Sequence, residues 1–196
     1  MTSNTQQRRV AGYFVAVILA AALVAALIAV ISSGGGDSSS AAAEGAFGTH
    51  FSGLEERRVA AGVPTMSDPS AGGAHIHPRL AVYVRGEQVP LPPNIGIDPY
   101  QPPQSMAGLH THEGGDVIHV ENAADPTLGQ FFEIWGVPFS ATELGPYKAG
   151  DSEQVRMWVD GTPSTEFGDL VMEDGQEIVV SFGPSNGPPP PLESGT

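Results

Sequence analysis

An apolar run of 22 residues, Val10–Ile31, contains neither a charge nor a proline. Few folded outcomes suit such a run. As a helix rising 1.5 Å per residue it extends about 33 Å, enough to cross a hydrocarbon core of about 30 Å. The apolar region of a cleaved signal peptide is shorter, about 7–15 residues. The nearest small-residue cleavage candidate, Ala41-Ala42-Ala43, lies well beyond the run. The expectation is an uncleaved, single-pass transmembrane helix over 10–31. Arg8 and Arg9 precede it with no acidic residue nearby. The positive-inside rule therefore predicts a cytoplasmic N-terminus over 1–9 and an extracytoplasmic remainder, held at the cell membrane.

Charge narrows the partners of that remainder. Beyond Ile31 stand six Lys and Arg, against all 22 Asp and Glu. A surface so acidic repels phosphate backbones and anionic headgroups, which argues against nucleic acid and peripheral lipid as partners and favours cations. The membrane is met through the N-terminal helix alone. With no cysteine in the chain, disulfides and thiolate metal sites are excluded, and stability must come from packing or a bound ion.

Residues 32–74 read as a flexible linker, rich in Gly, Ser and Ala at its start, with a short helix near 53–61. Ser52 and Glu55 have capping-box spacing for that helix. Residues 75–183 read as a β-rich domain, and 184–196, with Pro188–Pro191, as a disordered proline-rich tail. Period-two alternation predicts a strand through Ile76–Val84, with Ile76, Leu80, Val82 and Val84 on one face. Gln88–Leu91 is a candidate edge strand, because Pro90 and Pro92 lack ladder donors. Leu109–His112 and Val117–Glu121 form a predicted hairpin around Glu113–Asp116. A helix follows, capped by Asp125, with Leu128, Phe131, Phe132 and Trp135 at i, i+3, i+4 and i+7 before Gly136. Its aromatic stripe reads as a core face. Gln154–Val159 and Glu177–Phe182 are further strands. Trp158 points away from Val155, Met157 and Val159, and cover by the loop around Tyr147 is the expectation for it. Together these elements predict an α+β domain, mostly antiparallel, with one amphipathic covering helix. A β-grasp-like sheet and a small barrel or sandwich are the two candidate arrangements.

Five of the six histidines fall between positions 75 and 119. In a strand, residues i and i+2 share a face, so each His-x-His pair can aim both imidazoles at one ion. A four-residue hairpin loop sets His110 opposite His119 and His112 opposite Val117, with Gly108 opposite Glu121. His110, His112, His119 and Glu121 then share one face. His75 and His77, turned away from Ile76, are further metal ligand candidates. Imidazole and carboxylate suit a divalent transition metal, zinc or copper first. Glu113 and Asp116 read as turn residues adding negative potential, and His50 as an ordinary polar residue. Two other readings stay open. The histidines also serve as hydrogen-bonded strand pairs, or as a proton-sensing cluster whose members repel when charged.

Three stretches resemble an uncharacterised family of exported or membrane-anchored, mainly actinobacterial proteins. They are His75-Ile76-His77-Pro78-Arg79-Leu80, then Leu109-His110-Thr111-His112 leading to Ile118-His119-Val120-Glu121, and Thr127-Leu128-Gly129-Gln130-Phe131-Phe132-Glu133-Ile134-Trp135-Gly136. The resemblance implies export and carries no activity. The functional expectation is therefore a membrane-anchored extracytoplasmic domain that binds a divalent transition metal through its histidines. A metal-dependent enzyme using the same cluster as an open site is the alternative, with Glu121 or Asp116 as general base. A metal-free envelope interaction module, engaging partners through the proline-rich tail, is the third class.

Overall fold

The computed structural model describes residues 45–185 apart from 69–70 and 103–104. The predicted anchor and the first part of the linker lie outside these residues, as does the tail beyond 185. Among the described residues no helix is long and apolar enough to cross a membrane.

The fold is α+β, with mostly antiparallel sheets and two helices among the described residues. Helix α1 (Leu54–Ala60) opens on Gly53, whose φ of 70° is left-handed. The capping box expected from Ser52 and Glu55 does not form. Glu55 instead accepts two hydrogen bonds from the Arg58 guanidinium, at 2.8 and 2.6 Å. Helix α2 (Leu128–Trp135) is capped by Thr127 rather than Asp125. Thr127 Oγ1 accepts from the Gln130 backbone N–H, and the Gln130 side chain accepts from the Thr127 N–H. This reciprocal box satisfies two donors that a helix start otherwise leaves orphaned. Asp125 lies just outside, at φ 45°. Gly136 closes α2 in the left-handed conformation that residues with a Cβ rarely adopt.

The larger sheet comprises β2 (Arg79–Val84), β3 (Glu87–Val89), β9 (Glu153–Val159), β10 (Thr162–Ser164) and β11 (Glu177–Pro184). Their order is β10-β9-β11-β2-β3, so β3 is an edge strand, as its flanking prolines suggest. The central pair, β11 with β2, is parallel and runs from Glu177↔Arg79 to Phe182↔Val84. The remaining pairs of this sheet are antiparallel. Alternation sorts the two faces. Leu80, Val82, Val155, Met157, Ile178, Val180 and Phe182 join the α2 residues Leu128, Phe131, Phe132 and Trp135 in the main core. Ala81, Tyr83, Trp158 and Val179 form a second cluster on the opposite face. Trp158 is thus covered by strand neighbours and by the Arg156 guanidinium, 5.0 Å from its ring centroid. Tyr147 lies elsewhere, stacked on Phe182 at 5.2 Å.

The single strand expected over Ile76–Val84 is two strands in different sheets. β1 (Ala74–Ile76) ends before Pro78, which has no N–H to continue a ladder. The Pro78 carbonyl accepts from Ile118 N–H at 2.9 Å while Arg79 N–H turns to Gln176 O at 2.8 Å, and the chain changes sheets there. Ile76 therefore does not share a strand face with Leu80 and Val82.

β1 belongs to a three-stranded antiparallel sheet with β5 (His119–Ala123) and β4 (Leu109–His110), in the order β1-β5-β4. A ribbon of short strands, β6 (Phe139–Ser140), β7 (Glu143–Leu144) and β8 (Tyr147–Lys148), follows α2.

Part of the expected linker is built into the domain. Phe47 is 4% exposed, with its ring 5.9 Å from Trp135 and 6.4 Å from Tyr147. Leu54 and Val63 are also buried in the main core, and Trp135 Nε1 donates to Gly48 O at 3.0 Å. These aromatic and aliphatic side chains offset the entropy of ordering a Gly- and Ala-containing segment.

Candidate metal centre

The registers of the small sheet decide which way its histidines face. Ile76 pairs with Val120, and Val120 with Leu109. Val120 and Leu109 are fully buried, and Ile76 packs partly against the same core. Since successive strand residues point to opposite faces, the neighbours of this apolar row turn to the other face of the sheet. His77, just past the end of β1, His119 and His110 consequently form a lateral row of rings, with His110 paired directly to His119. His75 and Glu121 flank that row. A bulge between Ala74 and Ile76 accommodates Asn122, at φ 62°, whose side chain donates to Met66 O at 2.5 Å and Asp68 O at 3.3 Å.

His112 reaches the row from beyond the end of β4. The ladder stops at His110, so His112 does not oppose Val117 as a four-residue hairpin loop requires. Other contacts claim the loop. Thr111 Oγ1 accepts from Ile95 N–H at 3.1 Å and donates to Pro92 O at 3.0 Å. Gly115 bridges to Leu91, and Val117 bridges to Arg79. Asp116, 8% exposed, is held by the Arg79 guanidinium, whose Nε donates to its Oδ2 at 2.9 Å, while its backbone carbonyl accepts from Leu80 N–H at 2.6 Å. Asp116 thus anchors the loop through its side chain and its backbone.

The ring of His112 then lies 4.6 Å from that of His110 and 4.7 Å from that of His119, centroid to centroid, and the His110 and His119 rings are 5.5 Å apart. One ring nitrogen from each of the three lies within 4.8 Å of the others. His110 is completely buried. Its Nδ1 donates to Ala107 O at 2.9 Å, which leaves Nε2 as a lone pair, 3.1 Å from His112 Nε2. A tetrahedral ion with Zn–N bonds of about 2.0–2.1 Å sets adjacent nitrogens about 3.3 Å apart. The His110–His112 pair already stands near that spacing. Three imidazoles, one with its tautomer set by a backbone carbonyl, fit a borderline-soft divalent ion.

Electrostatics favours the neutral form of His110 and His119. Burial pushes His110 down to about 4, aided by the neighbouring His112 and opposed by the Ala107 hydrogen bond. His119 is also lowered, first by burial and then by His112 and His77, with Glu121 acting against them. Neutral imidazole is the form that ligates a metal.

Of the six candidate ligands, the structure brings His110, His112 and His119 into one group. Glu121 stands beside it rather than in it, its Oε1 3.6 Å from His75 Nε2. His77 continues the row, its ring 5.0 Å from His119 and 4.9 Å from His75. His50 is apart, with Nε2 3.3 Å from Ala46 O. Two participants had no signal in the sequence. One is the Ala107 carbonyl that orients His110. The other is Asp174, whose Oδ1 accepts from His77 N–H at 2.8 Å and sits 3.8 Å from His77 Nδ1.

Comparison with protein-family models, curated proteins and solved structures finds no match to this chain.

Proposed function

We infer that the chain is a membrane-anchored protein whose extracytoplasmic domain binds a divalent transition metal, zinc or copper first, through His110, His112 and His119. The observation that carries this reading is the convergence of three imidazole nitrogens within 4.8 Å, one of them oriented by the Ala107 carbonyl. The acidic composition supports it by concentrating cations near the site. Anchoring rests on the apolar run Val10–Ile31 and the arginines before it. The resemblance of the three histidine and aromatic motifs to exported proteins agrees with that compartment. The test is elemental analysis and metal titration of the full-length chain. Stoichiometric zinc, copper, nickel or iron, lost on substitution of the triad, is the expected result. No metal as purified and no uptake on titration defeats the reading.

The larger sheet supports a β-grasp assignment. Two hairpin-linked pairs flank a parallel central pair formed by the sheet's first and last strands, and α2 connects the two halves. In this reading β4 and β5, which supply His110 and His119, form an insertion between the first hairpin and the helix.

A metal-dependent enzyme is the second reading. Three protein ligands leave a coordination position open, and His112 is exposed to solvent. An exchangeable water on the bound ion keeps this reading, whereas an all-protein shell removes it.

A further inference from the structure

We propose that His75 and His77, flanked by Glu121 and Asp174, form a second and weaker station for the same class of divalent transition metal, at the outer end of the histidine row. The proposal rests on the reading of the inner triad as a metal site. Four observations carry it. The two imidazoles, one on β1 and one just past its end, stand 4.9 Å apart, centroid to centroid. They are open to solvent, with side-chain exposures of 65% for His75 and 43% for His77, so an ion can reach them without opening the fold. Each has its own carboxylate, Glu121 for His75 at 3.6 Å and Asp174 for His77 at 3.8 Å. Both separations exceed hydrogen-bonding distance, so the ring nitrogens are near negative charge without being consumed by it. The Asp174 carboxylate is in addition held in place by the His77 backbone N–H.

Two imidazoles with two carboxylates are a donor set for zinc, nickel or copper(II). No three of these donors converge as closely as the triad does, so an ion must draw exposed side chains together. That ordering costs side-chain entropy and makes the outer station the weaker one. The station adjoins the triad through His77 and His119, whose rings are 5.0 Å apart. An ion released from one end of the row is therefore within a few ångströms of ligands at the other.

The experiment is titration of the metal-free full-length chain with zinc, followed by calorimetry and by native mass spectrometry. The wild type is expected to take two ions, the second about tenfold weaker or more. His75→Ala with His77→Ala should remove the weak ion and leave the tight one; both residues are exposed, so unchanged circular dichroism is expected. Glu121→Gln should weaken the second ion alone. A single ion in the wild type that survives the double substitution, or a second ion that survives it, overturns the outer station. If the tight ion is absent while an ion sensitive to His75 and His77 remains, the triad reading fails and the outer station stands.

Discussion

His110 donates through Nδ1 to the carbonyl of Ala107, three residues back along the chain, at 2.9 Å. This bond turns a buried imidazole into a ligand with one defined free nitrogen. The ring needs no reorientation when an ion arrives, and less entropy is lost on binding. His110→Gln should lower zinc affinity by about 100-fold or more, since even partners outside the coordination shell are worth roughly 10–100-fold. His50→Ala should leave affinity unchanged, because the His50 ring lies outside the triad, with its Nε2 against the Ala46 carbonyl. Competition titration against a chromophoric chelator measures both.

The depressed His110 value makes the metal-free domain acid-sensitive. The unfolded chain takes up a proton near 6.5, while the folded His110 does so only at about 4. Between these values the unfolded state holds more protons, so stability falls as pH falls through 6.5 towards 4 and this contribution is constant above 6.5. A shift of that size corresponds to on the order of 3 kcal/mol once fully expressed. Urea unfolding at pH 7.5, 5.5 and 4.5 should show the loss, with a shallower pH dependence in His110→Gln. The direction for His119 is the same.

The shared face of His110 and His119 is legible in the sequence because period two is unambiguous there. Once Leu109 and Val120 enter the core, His110 and His119 have one direction left to point. Their pairing followed from hairpin logic even though the loop between them was misread. What the sequence did not reveal was pairing between distant segments. The apolar pattern of Glu177–Phe182 says that it is a buried strand, but nothing local says that β2 is its parallel partner. The loop after His110 was misread for the same reason. Its path depends on Arg79 holding Asp116 and on Thr111 binding the Pro92–Ile95 segment. The cap of α2 differs for a local reason: the reciprocal Thr127–Gln130 pair satisfies two backbone donors at the helix start.

Gly96 sits behind His110 with a φ of 74°, and a Cβ there would meet the Leu109 carbonyl oxygen and stand 3.1 Å from His110 Cβ. Its neighbours bind β4 from the side opposite β5, through Ala107 N–H to Gly96 O at 2.9 Å and Thr111 N–H to Ile95 O at 3.0 Å. Gly96→Ala therefore combines backbone strain with a collision against main chain that cannot rotate away. A loss of about 1–3 kcal/mol in stability is expected, together with weaker metal binding as His110 is displaced. Gly86→Ala is the control, because it also has a positive φ but open space around its Cβ position. It should lose stability and retain metal affinity.

Phe47 tests whether the segment ahead of α1 is tether or core. Its ring is 4% exposed, lies against Trp135 and Tyr147, and would collide with a Cβ placed on Gly145. Removing it leaves a cavity beside the largest fully buried side chain of the domain, Trp135. Phe47→Ala should therefore cost about 3–5 kcal/mol, as for other buried phenylalanines. A true linker residue would show no change in the urea midpoint. Metal affinity of the folded variant should stay near wild type, because Phe47 touches none of the histidines through the ring contacts it makes. The two readouts separate a role in holding the domain together from any role at the site.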